Sequence, residues 1–202
     1  MIDDLDRTLE ELLRRELAPA LVDQVGISFA APDAAFPPSS VTLPAIDIFL
    51  YDIRENLELR SAEWTVQRDR AGRTTKQRPP TRVDCSYLIT AWSSDSSTSR
   101  AMDEHRLLSE VMRSLLRHPT LPGVLLHGSL KGQEPPLPTC SLQPGRLQSV
   151  GELWQALGGK PKASLNYTVT IGVAPERAVD AELPVLEKRL DVAATVIVPE
   201  GG

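Results

Sequence analysis

The sequence predicts an α/β (α+β) fold, a mixed β-sheet flanked by helices, on three observations. Residues 81–92 read Thr-Arg-Val-Asp-Cys-Ser-Tyr-Leu-Ile-Thr-Ala-Trp, with Val83, Cys85, Tyr87, Ile89 and Ala91 at alternate positions. That is the period of a strand, and Leu88 and Trp92 add apolar bulk to its second face. It is therefore expected inside the sheet, covered on both sides. Leu107, Leu108, Val111, Met112, Leu115 and Leu116 recur at three- and four-residue spacing, the stripe of a helix folding back onto the sheet. In residues 163–173, Leu165, Tyr167, Val169, Ile171 and Val173 alternate with polar residues, a strand with one buried face.

The remaining elements follow in order. Ile2, Leu5, Leu9, Leu12, Leu13 and Leu17 keep helical spacing, with Asp3, Asp4 and Asp6 at the start and Arg14 and Arg15 near the end. Charge and period agree on a first helix, stopped by Ala18-Pro19. Residues 25–29 read as a short strand and 30–44 as a loop. From residue 46, Ile46, Ile48 and Leu50 alternate against Asp47, Phe49 and Tyr51, a second long strand. Pro79-Pro80 hold the chain extended before the central strand. Ser93–Ser99 is a turn rich in helix caps, and Pro119 and Pro122 end the helix that follows. Short strands are expected at 123–127 and 140–144. Ser149 and Glu152 form a capping box for a helix that buries Leu153, Trp154 and Leu157 and stops at Gly158-Gly159. Residues 174–183 read as a linker and 190–199 as a last strand. The domain plan is one domain over 1–175, including a basic arm at 60–82, then a C-terminal linker and candidate assembly strand over 176–202.

Composition narrows the function. The chain is 41% hydrophobic and 24% charged, average for a globular domain, and its net charge of −5 does not recruit nucleic acid or an acidic membrane surface. No apolar run approaches the ~20 residues of a bilayer span, and the acidic N-terminus lacks the basic and apolar regions of a secretory signal. A cytoplasmic protein is expected. Cys85 and Cys140 fit no metal-ligand spacing. Two reduced thiols are the favoured reading, with a Cys85–Cys140 disulfide as the alternative. His105, His118 and His127 have no ligand or triad partners in sequence, and no phosphate loop, GxSxG, HExxH or dinucleotide motif is present. Catalytic, cofactor and metal residues are therefore expected to be none, as in a protein built to bind or assemble.

The unusual stretch is 60–82. Arg60, Arg68, Arg70, Arg73, Lys76, Arg78 and Arg82 stand against Glu63 and Asp69 in an otherwise acidic chain. Ala71-Gly72 supplies a turn, so an exposed hairpin or arm is expected. Two readings stand, a solvated loop and a basic arm that docks on an acidic partner. The other candidate interface is the last strand, through Val192, Val196 and Val198.

Taken together, Asp47–Tyr51, the run from Pro79 to Trp92, the helix from Glu104 to Pro119 and the segment from Glu152 to Tyr167 resemble a known family. It is the cap, or tail-terminator, family of extracellular contractile injection systems, phage-tail-like particles of the antifeeding-prophage and virulence-cassette type. The resemblance covers residues 2–173, and its most specific parts are Tyr87–Trp92, Glu104-His105 with Pro119, and Leu153-Trp154 through Tyr167. It implies a structural role without catalytic residues: a homo-hexameric ring at the distal end of a particle assembled in the bacterial cytoplasm. That ring stops the inner tube protein and anchors the last layer of sheath protein, with the tape-measure protein as a further candidate partner. Several members of the family run longer than 202 residues, which leaves a C-terminal extension open. The competing reading is a stand-alone assembly adaptor or chaperone that shares the fold and never enters the particle.

Overall fold

The computed structural model describes residues 1–68, 74–94, 96–133, 136–142, 150–174 and 179–180, with 65–68, 74–77, 150 and 179–180 described by their backbone. The chain divides into two compact units, Met1–Ser61 with Pro80–Ala174, and Ala62–Pro79 with Pro175–Gly202.

The larger unit is an α+β fold. Its five-stranded mixed sheet has the order β1-β2-β5-β7-β6, from β1 (Gly26–Ser28), β2 (Ala45–Glu55), β5 (Thr81–Trp92), β6 (Thr139–Ser141) and β7 (Ser164–Val173). Of its four strand pairs only β1–β2 is parallel. The central strand is the one expected: β5 lies between β2 and β7. Its Cys85, Tyr87, Ile89 and Ala91 join a core with α1 (Ile2–Glu16) and α3 (Arg100–Leu116). Asp84, Ser86, Leu88 and Thr90 on its other face are buried as well. From α1 the core takes Leu5, Leu9, Leu12 and Leu13, and from α3 Leu107, Leu108, Val111 and Leu115. Leu116, at the end of the expected stripe, is exposed. A four-residue helix α2 (Pro19–Val22) follows α1 with Pro19 in its first turn, and α4 (Val150–Ala156) buries Trp154.

β2 carries a bulge. Its pairing with β5 runs from Ala45↔Trp92 to Leu50↔Tyr87, then resumes at Asp52↔Ser86, leaving Tyr51 as the extra residue.

In the smaller unit, β3 (Thr65–Arg68) and β4 (Thr74–Gln77) form the expected hairpin, with Val66 opposite Lys76 and Arg68 opposite Thr74. With β8 (Val179–Asp180) they make a three-stranded antiparallel sheet of order β3-β4-β8.

Two expectations are corrected. Residues 123–127 are not a strand: Gly123–Leu125 and Gly128–Leu130 are single 3-10 turns. The neighbours Leu125 and Leu126 are both buried, which an alternating strand with one buried face cannot do. The His127 amide donates to Thr8 Oγ1 on α1 instead of to a strand partner. Residues 174–183 are not all linker, because β8 lies within them and pairs with β4. The strand expected at 140–144 forms at 139–141, and Ser149 of the expected capping box lies outside the described residues.

Candidate assembly surfaces

Among the described residues no group of His, Cys, Asp and Glu could hold a metal ion. No helix among them is long and apolar enough to cross a membrane. Two of the histidines contact carboxylates: His127 Nε2 lies 2.6 Å from Glu11 and His118 Nε2 3.2 Å from Glu16. The third, His105, lines an open cleft of about 550 Å3 beside Glu104, Lys162 and Trp92. There the charges are already committed to one another. Lys162 Nζ sits 2.7 Å from Glu104 and 4.2 Å from the Trp92 ring, which packs on Phe36. Cys85 and Cys140 are free thiols, and burial pushes Cys85 up to about 11, the state of an inert core thiol.

What the larger unit offers instead is two unlike sheet edges. The outer edge of β7 is occupied along most of its length. β6 pairs with Tyr167, Thr168 and Val169. On one side of that ladder the Leu142 amide donates to Asn166 O (3.0 Å), and on the other the Thr170 amide donates to Pro138 O (3.0 Å). Gln133 then closes the end like a peptide group, accepting from the Gly172 amide at 2.9 Å and donating to Gly172 O at 2.9 Å. A Cβ at Gly172 would come within 3.2 Å of Gln133 Oε1, so glycine allows the approach.

This seal is set by the loop that replaces the expected strand. The Ser129 amide and hydroxyl donate to Asp4 Oδ2 (3.0 and 2.8 Å). Those bonds hold the Asp4 carboxyl down at about 2. Gly128 turns there with φ +47°, and a Cβ on it would strike the Asp4 carboxylate.

The outer edge of β2 is different. β1 covers it only at Ala45, Ile46 and Asp47. Among the described residues no strand pairs with it beyond Asp47. Asp47 itself is fully buried, between Ser28 on β1 and Thr90 on β5, and burial pushes its carboxyl up to about 7. At the far end the chain is anchored yet presents apolar side chains. The Asn56 amide donates to Arg82 O (2.8 Å), its Nδ2 to both oxygens of the buried Asp84 (3.0 and 3.2 Å), and its Oδ1 accepts from the Leu59 amide (3.0 Å). Thr170 Oγ1 donates to the same Asp84 at 2.7 Å. The loop is thus fixed to the sheet while Ile53, Leu57 and Leu59 stand 48%, 66% and 49% exposed.

The basic residues separate into kinds that the sequence did not distinguish. Arg60 is a staple of the larger unit, gripping Glu55 through Nε (2.8 Å) and Nη2 (2.7 Å), which holds the Glu55 carboxyl below its usual range. Arg78 lies over the Trp64 ring at 5.1 Å within the smaller unit. Arg82 is half-buried on β5. Arg68 and Lys76 are on the hairpin strands, and Arg70, Arg73, Val192, Val196 and Val198 lie outside the described residues.

The family model described as the Pvc16 N-terminal domain matches residues 4–187. Among solved structures, the chain is similar to the sheath/tube terminator of an extracellular contractile injection system, PVC, in its extended state. Identity is 30% and TM-score 0.69, over 98% of this chain and 65% of that one. It is also similar to the tube-terminating cap of the anti-feeding prophage, with 28% identity and TM-score 0.66, over 95% of this chain and 61% of that one. The chain therefore spans less than two thirds of the length of these solved relatives. Among curated proteins, none matches it. With a family model over most of its length and a fold shared with these two structures, the chain belongs to the Pvc16 N-terminal domain family.

Proposed function

We propose that this chain is the structural cap of a contractile, phage-tail-like injection particle assembled in the bacterial cytoplasm. It forms a hexameric ring at the distal end, terminates the inner tube and anchors the last sheath layer, without catalysis or cofactor. The observation that carries the reading is the similarity to a sheath/tube terminator across 98% of the chain. A closed ring needs a heterologous contact, one patch against a different patch of the neighbour. This chain supplies unlike surfaces: a basic hairpin segment, an acidic first helix and, among the described residues, one sheet edge that no strand pairs beyond Asp47.

Two measurements test it. Particles made without the chain should show variable tube length and a sheath that detaches at one end. Uniform length and a stable sheath in electron micrographs would end the proposal, and absence of the chain from purified wild-type particles would favour an assembly adaptor. Replacing Arg68, Arg70, Arg73 and Lys76 together by Glu should weaken capping while the fold survives, through lost steering and like-charge repulsion. Raised salt should partly imitate this, because exposed charges are screened beyond ~8 Å at physiological ionic strength. A single substitution should do little, exposed pairs contributing only ~0.2–1 kcal/mol each. Normal capping by the quadruple variant would assign the hairpin's charges to solvent.

A further inference from the structure

From the strand order and the backbone register we infer that neighbouring copies join edge to edge, β3 of one copy adding to the open edge of β2 of the next. This rests on the ring reading above and names its contact. Strand edges are recognised by other strand edges, because each presents unpaired amides and carbonyls in a row. In the larger unit the β7 edge is occupied from Asn166 to Gly172, so two copies cannot continue one sheet into the next through β2 and β7. In the smaller unit β8 lies on the far side of β4, and β3 is the other border. Among the described residues, β2 beyond Asp47 and β3 are thus the edges with room for a partner.

The direction of the groups on β2 can be read from its ends. The Gly26 amide donates to Pro44 O, so the backbone groups of Pro44, and by alternation of Ile46, Ile48 and Leu50, point to the β1 side. The Asn56 amide donates to Arg82 O on β5, so after the bulge Arg54 points inward and Ile53 and Glu55 point to the open side. The row of outward groups spans Ile48 to Glu55, longer than the four residues of β3. Charge favours the hairpin as occupant. Around the open end, Asp52, Glu55 and Glu58 outnumber Arg54 and Arg60, while in residues 65–77 Asp69 is the sole acid against Arg68, Arg70, Arg73 and Lys76. The exposed Ile53, Leu57 and Leu59 would be covered by the incoming hairpin. One open edge of each kind per copy makes the contact head to tail, as a ring requires.

The test uses full-length chains expressed with the other particle proteins. Ile53→Pro removes an outward amide while leaving the inward ladder to β5, and proline is tolerated on an open edge. The variant should keep its circular dichroism and cooperative melting, and its recovery in particles should fall at least tenfold. Ile53→Cys and Gln67→Cys, each on a Cys140→Ser background and differently tagged, are then mixed and treated with a short bis-maleimide. A cross-linked dimer carrying both tags is expected, and neither variant alone should give one. Normal incorporation of a folded Ile53→Pro chain would overturn the inference, as would capped particles that yield no two-tag dimer. Should the wild-type chain be absent from particles, the ring reading fails separately. The same cross-linking of concentrated, purified chains then decides the edge contact, the two-tag dimer supporting it and its absence refuting it.

Discussion

The two margins of the five-stranded sheet solve the same problem in opposite ways. At β7 every kind of partner is used: a short strand, single backbone bonds on either side of it, and a glutamine amide standing in for a peptide at Gly172. At β2 a three-residue strand covers the start, and the remainder ends in an anchored loop with apolar side chains in solvent. Unpaired edges are normally blunted in monomeric proteins. A chain that seals one edge with its own loops, and among its described residues leaves the far part of the other without a strand, fits the one-sided addition proposed above.

The contrast predicts different consequences for substitutions at the two margins. The largest effect should fall on the sealed side. Leu130, at 0% exposure, sits under the loop that carries Ser129 and Gln133. Leu130→Ala should cost ~2–5 kcal/mol in chemical denaturation. A loss below ~1 kcal/mol would mean that the loop is not part of the cooperative core.

Next in size is the covered start of β2. Asp47 has a folded pKa of about 7 against 3.8 unfolded, so the folded state holds its proton more tightly. Its contribution to stability is therefore fully present below pH 3.8, falls as pH rises toward 7, and levels off above. The whole fall should be no more than a few kcal/mol. Asp47→Asn should flatten that slope and gain most on the alkaline side of it. A variant with the wild-type pH profile would show that Asp47 is ionised in the fold. Asp4 acts in the opposite sense and in another window. Its pKa is lowered to about 2 from 3.8, so its contribution is present above 3.8 and disappears as pH falls through 2.

Smaller again is Gln133→Ala, which exposes both backbone groups of Gly172. Each lost bond is worth ~0.5–1.5 kcal/mol, and amide exchange at Gly172 should quicken before the fold melts. The smallest effect on stability should come from Leu57→Ser with Leu59→Ser, within ~0.5 kcal/mol because both are exposed already. Their effect on particle capping should be large, and that reversal of rank between folding and assembly is what the two margins differ in. Equal rank in both assays would remove the distinction.

The strong elements were legible in the sequence because their patterns are local. The periodicity of Val83–Ala91 and of Leu107–Leu115 survives intact in β5 and α3. The 3-10 turns were missed because Val124, Leu125 and Leu126 look like a strand core, and only Thr8, more than a hundred residues away, supplies the bond to His127. Arg60 was grouped with the arm because like charges cluster in sequence, whereas its partner Glu55 lies across a turn that Asn56 shapes. In the sequence Asp47 stands with Phe49 and Tyr51, alternating against Ile46, Ile48 and Leu50, and nothing there marks it as buried. Its burial depends on β1 and on packing over the second face, neither of which its own segment encodes. Which edges remain open is the least local property of all, being fixed only when every strand has found its neighbour.

The bulge at Tyr51 has a consequence of phase. Before it, Ile46, Ile48 and Leu50 share the side of Tyr87 and Ile89; after it, Ile53 takes up that side and Asp52 and Arg54 the opposite one. One residue thus converts a segment whose even-numbered positions are apolar into one whose odd-numbered position is, and the hydrophobic beat continues across the join without a missed count. Were Tyr51 paired as an ordinary strand residue instead, the distal half of β2 would fall out of step, turning Asp52 and Arg54 toward the helices and Ile53 away from them. The proximal half would still fit its neighbours. That misregister would be felt at the margin before the core, as a strand correct in composition and wrong by half a period, whereas deleting Tyr51 would close the bulge and leave both halves in step.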